Sequence, residues 1–90
     1  MPSKEVLQAI AAARMDLAYR AGVEAPDIIV SETKAVEWPD AGLGCPDPHT
    51  SHRPQPTPGY RIVLNAVSRE YEYHADTAGR LVYCGKRRQG

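Results

Sequence analysis

Val6, Ile10, Ala13 and Leu17 recur at the i, i+4, i+7, i+11 spacing of one helix face, with Leu7, Ala18 and Ala21 flanking the stripe. This pattern predicts a helix over residues 3–21. Ser3 suits the N-cap, Glu5 the first turn, Arg20 the last turn and Gly22 the left-handed position after the end. Pro26 forbids continuation. Over residues 27–37 the period changes to two, the signature of a strand. Ile28, Val30, Val36 and Trp38 share one parity, while Ile29, Thr33 and Ala35 share the other. The alternation is imperfect near Glu32–Lys34, where a β-bulge is expected.

Residues 39–59 hold six prolines, at positions 39, 46, 48, 54, 56 and 58, with Gly42, Gly44 and Gly59. Proline ends helices and removes ladder donors from inner strands, so the segment is expected to be loop. Alternation resumes over residues 60–84. Tyr60, Ile62 and Leu64 oppose Arg61, Val63 and Asn65; Tyr71, Tyr73 and Ala75 oppose Glu70, Glu72 and His74; Leu81 and Tyr83 oppose Val82 and Cys84. Turns are expected at Ser68–Arg69 and over Asp76-Thr77-Ala78-Gly79. The predicted fold is α+β: one N-terminal helix packed on a four-stranded antiparallel sheet. A long Pro-rich loop joins the first strand to a C-terminal three-stranded meander, and residues 85–90 form a tail. All 90 residues are expected to make one domain.

Charge narrows the function. Lys+Arg and Asp+Glu are both 11, so the net charge is zero and the basic face that nucleic-acid binding needs is missing. The cluster Lys86, Arg87, Arg88 reads as a solvated terminus. Tyr60, Tyr71, Tyr73 and Tyr83 resemble a base-stacking platform. With no phenylalanine in the chain, however, tyrosines must fill core volume. No apolar run of about 20 residues is present to span a membrane, and no apolar leader precedes the helix. As given, the chain is expected in the cytoplasm, the alternative being the mature form of an exported protein. Gly42 and Gly44 do not open a helix and no Lys-Ser/Thr follows them, so no phosphate-binding cofactor is expected.

Candidate chemistry gathers on the cysteines and histidines. In an oxidising compartment Cys45 and Cys84 are expected to pair, and closing a loop of about 40 residues is worth about 4 kcal/mol. In the cytosol they would be thiols. Cys45, His49 and His52 give a C-x3-H-x2-H set that a zinc ion could use, with Cys84 or His74 completing four ligands. No paired C-x2-C half-site accompanies it. A Cys-His nucleophile would need a strained elbow or a helix N-terminus at the cysteine, and neither is present, so no enzyme is expected. The remaining reading is recognition. A proline-stiffened loop loses little entropy on binding, which favours a protein or peptide partner. His49, His52 and Arg53 lie at its tip, and Trp38 and Tyr60 are aromatic anchor candidates. Against that, Trp38 beside Pro39 also suits a core cap.

The stretches "ARMDLAYRAGV", "VEWPDAGLGCPDP", "PGYRIVL" and "EYEYHADTAGRLVYC" resemble a family of small bacterial domains carrying a W-P-D-x-x-L-G-C-P motif. The resemblance spans nearly the whole chain and implies an exported or lipid-anchored protein without an assigned activity. From His49 to Pro56 the chain departs from that pattern. The helix followed by strands, ending in "YEYHADTAGRLV", is similar to PepSY domains, which implies a module that binds or restrains a peptidase, here through the 39–59 loop or a sheet edge.

Overall fold

A computed structural model of the chain describes residues 3–40, 42–45 and 54–86. Helix α1 spans Lys4–Ala21, and strands β1 (Ile29–Asp40), β2 (Pro54–Ala66), β3 (Arg69–Asp76) and β4 (Leu81–Lys86) form one antiparallel sheet in the order β1-β2-β3-β4. This is the expected α+β architecture.

The ends of α1 follow from its sequence. The Ser3 hydroxyl accepts from the Val6 N–H. Gly22, at φ 67°, closes the other end by donating to the Ala18 carbonyl, which Val23 N–H also reaches. Ala13 and Leu17 are fully buried against Ile28, Ile62, Leu64, Ala66 and Tyr73, and this is the main core. A polar clamp sits at its margin. The Asp16 carboxylate accepts from the Tyr73 hydroxyl and from Arg20 Nε, both at 2.7 Å. The Arg20 guanidinium lies 4.1 Å over the Tyr83 ring. Burial alone would raise the Asp16 carboxyl, but the hydrogen bonds from Tyr73 and Arg20 outweigh it and hold the group below its ordinary value.

Four boundaries differ from the sequence expectation. The first strand begins at Ile29, because Pro26 sets a 3-10 turn over Ala25–Asp27. The expected 39–59 loop is shorter, because β1 runs on to Asp40 and β2 already starts at Pro54. The Pro58 carbonyl accepts from Thr77 N–H, on the β3 side of β2. In a strand a residue's nitrogen and carbonyl point the same way, and Pro54, Pro56 and Pro58 share a parity. The Pro58 nitrogen therefore faces away from β1, and β3 pairs β2 only from Gly59 onward, so Pro58 costs no ladder bond, while Pro54 lies beyond a register shift between Trp38 and Asp40. The first hairpin turn falls at Val67–Ser68, one residue early, between the paired Ala66 and Arg69. Both turn residues have positive φ, 52° and 63°. The expected tail is shortened by β4, which continues to Lys86.

The bulge expected near Glu32–Lys34 lies just before that stretch, at Ser31, between the Val30–Leu64 and Glu32–Val63 pairs. The extra residue reverses parity. Val30 therefore faces the helix, whereas Val36 and Trp38, of the same parity, face the opposite side.

Candidate functional site

The face of the sheet away from α1 has a small polar core of its own. Because of the Ser31 bulge, the Trp38 ring lies on this face, 8% exposed. It lies over Gly59, where a Cβ would overlap the Ala75 carbonyl and come within 2.7 Å of the indole nitrogen. The indole N–H donates to that same carbonyl at 2.9 Å. The Trp38 ring also stacks on His74, with centroids 4.1 Å apart and planes 22° from parallel. Gly44 packs against the indole edge, where a Cβ would come within 2.8 Å of two ring carbons.

The corner that covers this core is built by short hydrogen bonds. Asp40 Oδ1 accepts from Gly42 N–H, the Asp40 carbonyl from Leu43 N–H, and the Gly42 carbonyl from Cys45 N–H. Leu43 is fully buried at φ 60°. Cys45 is joined to Cys84 by a disulfide, with Cα atoms 5.7 Å apart. Cys84 is itself the extra residue of a bulge in β4, between the Tyr73–Tyr83 and Glu72–Gly85 pairs.

His74 ties corner to sheet. Its Nδ1 lies 2.6 Å from the Leu43 carbonyl and its Nε2 lies 2.5 Å from Glu72 Oε2. Both partners of the ring, a carbonyl and a carboxylate, are hydrogen-bond acceptors. Glu72 also accepts from Arg61 Nε at 3.2 Å and Nη2 at 3.1 Å, and Arg61 Nη1 donates to Glu32 at 3.1 Å. Burial alone would raise the Glu72 carboxyl, but the hydrogen bonds from Arg61 and then His74 prevail and hold it below its ordinary value. The Cys45 and Cys84 sulfurs and a His74 ring nitrogen lie within 4.8 Å of one another.

The residues singled out from the sequence fall in different places. Trp38 is spent on the inner core and presents no surface anchor. Tyr60 is half-buried, its hydroxyl 3.1 Å from Ser3 Oγ. His49, His52 and Arg53 lie outside the described residues. Among the described residues, the group brought together is Cys45, Cys84 and His74, and the set Cys45, His49 and His52 lies partly outside them. The Glu72–His74 pair is the functional-looking feature not singled out beforehand. Its signal is the shared parity of the two residues in "YEYH".

Two open surfaces stand out among the described residues. The first is the outer edge of β1, which pairs only with β2. Since Pro58 turns its backbone away from β1, so does its partner Glu37, and by parity Ala35 and Thr33 turn theirs outward as well. Among the described residues nothing pairs with that edge. The second is a groove of about 270 Å³ between the first turns of α1 and the β3–β4 turn, lined by Glu5, Gln8, Ala9, Thr77, Arg80 and Leu81 among others. No described helix is long and apolar enough to cross a membrane.

A family model described as a domain of unknown function, DUF8738, matches residues 10–84, and the chain belongs to that family. No curated protein and no solved structure matches the chain.

Proposed function

We propose that this domain is a non-catalytic binding module that takes an extended segment of a partner protein onto the open edge of β1. The observation that carries the reading is the outward-facing backbone of Thr33, Ala35 and Glu37, in a stretch whose register is regular between Glu32 and Trp38. An unpaired edge offers main-chain donors and acceptors to an incoming strand, and alternate side chains beside it set specificity. Lys34 between Glu32 and Glu37 gives that edge mixed charge, which suits a polar segment rather than a purely acidic or basic one. The polar groups of the Trp38–His74 core are engaged with one another, which favours a structural role for them over catalysis. The similarity to PepSY domains, which bind or restrain peptidases, points the same way. The Cys45–Cys84 disulfide fits an oxidising compartment outside the cytoplasm.

Ala35→Pro tests the reading. It removes one outward N–H and no bond of the β1–β2 ladder. Affinity capture is compared for wild type, Ala35→Pro and a deletion of residues 50–57. The expected outcome is a partner held by wild type and by the deletion but lost from Ala35→Pro. Equal capture by Ala35→Pro contradicts edge binding. Loss from the deletion alone would move the site to the proline-rich loop.

A further inference from the structure

The disulfide, the buried histidine and the carboxylate behind it have a second use. We propose that reduction of the Cys45–Cys84 disulfide converts the corner into a zinc-type metal site, with the two thiolates and Nδ1 of His74 as ligands and Glu72 orienting the ring from behind. The two sulfurs and a His74 ring nitrogen already lie within 4.8 Å of one another. A tetrahedral zinc ion with bonds of 2.0–2.3 Å places its ligands about 3.3–3.8 Å apart, so small side-chain rotations suffice. The Cα separation of 5.7 Å is fixed by the strand and the corner and leaves room for two thiolates on one ion.

The histidine geometry is independent support. Metal-bound imidazole commonly gives its other N–H to a carboxylate, which fixes the ring and raises its basicity. Here Nε2 meets Glu72 Oε2, and Arg61 holds that carboxylate in turn. Nδ1 is the nitrogen that faces the corner, since it lies against the Leu43 carbonyl and 3.6 Å from the Cβ position of Gly44, the residue before Cys45. Two soft sulfurs and one imidazole suit zinc and exclude magnesium or calcium. The half-buried cysteines leave the fourth position to water.

The chemistry balances. A phosphine or dithiol reductant supplies two electrons and the S–S bond breaks. Each sulfur takes up a proton, and the reductant leaves as disulfide, having given its own two protons, or as phosphine oxide, with water supplying the oxygen and both protons. Binding one divalent ion then releases both thiol protons and any proton on Nδ1, while the Nε2 proton stays on the ring and is donated to Glu72.

Cobalt(II) is the probe, added to full-length protein under a phosphine reductant and then displaced by zinc(II). The expected result is one equivalent bound with thiolate-to-cobalt charge transfer and tetrahedral d–d bands, and none in the disulfide form. His74→Ala is expected to weaken zinc at least about 100-fold and Glu72→Gln about 10–100-fold. The Gln variant is the second test should the loss of the buried ring disturb folding. His49→Ala/His52→Ala is expected to bind like wild type. Absence of the charge-transfer band from reduced wild type overturns the proposal, as does a reduced chain that has lost its sheet by circular dichroism. So does unchanged binding in both His74→Ala and Glu72→Gln, or dependence on His49 and His52 instead. Partner capture by the disulfide form tests β1 separately, so either idea can fail alone.

Discussion

At the β4 edge the chain gives the sheet six residues, inserts Cys84 as a bulge and fastens that bulge to the corner through Cys45. At the β1 edge it gives twelve residues, and after the bulge at Ser31 the strand runs in regular register to Trp38. Bulges, short strands and covalent ties are the usual devices that stop an edge from recruiting another strand. β4 uses all three. β1 has charges and one bulge at its start, but among the described residues its middle keeps an open ladder. The contrast separates the two jobs of the sheet, with stability secured at one edge and pairing capacity kept at the other.

Cutting the tie at β4 is expected to cost most. Cys45→Ser/Cys84→Ser should lose about 4 kcal/mol, seen as a fall in Tm of about 15–30 °C. A loss within 1 kcal/mol would mean that the apolar face alone holds the fold. Gly59→Ala comes next. Its Cβ meets the Ala75 carbonyl and the Trp38 nitrogen, so about 3 kcal/mol should be lost, with a change in tryptophan fluorescence as the ring is displaced. In the opposite direction, Val67→Asn/Ser68→Gly should add about 1–2 kcal/mol in a denaturant melt. A β-branched residue at φ 52° is strained, and Asn-Gly prefers the two positive φ values this hairpin turn requires.

Acid should act on the two faces through Asp16 and Glu72. Both carboxyls are held below their ordinary values of 3.8 and 4.5. Their contribution is therefore complete above about pH 4.5 and is lost as pH falls through the lowered folded values. Glu72→Gln should flatten the acid limb of a stability–pH curve for the Trp38 face, and Asp16→Asn that for the helix face. An unchanged limb in both variants would remove these pairs from the account of acid stability.

The sequence made one edge more legible than the other. The helix, its caps and the three-strand meander follow from period and capping, and Cys45 with Cys84 pointed to the tie. The W-P-D-x-x-L-G-C segment turned out to be a corner: Trp38 stacks, Asp40 caps, Leu43 is buried, Gly44 makes room and Cys45 bonds. The proline strand was hidden because composition does not say which side of β2 each nitrogen faces. The facing of Trp38 was hidden because one residue, Ser31, resets parity without any residue-type signal. The pairing of His74 with both Glu72 and Leu43 depends on register and on a chain reversal far away in sequence. The openness of β1 depends on strand order, which residue pattern does not encode.

That openness can be measured directly in the free protein. Amide hydrogen exchange by NMR, in the disulfide form, should alternate along β1. Thr33, Ala35 and Glu37 are predicted to exchange as fast as exposed turns, while Lys34 and Val36, bonded to β2, exchange far more slowly. Uniform protection across Thr33–Glu37 would show that the edge is already occupied and would contradict the account.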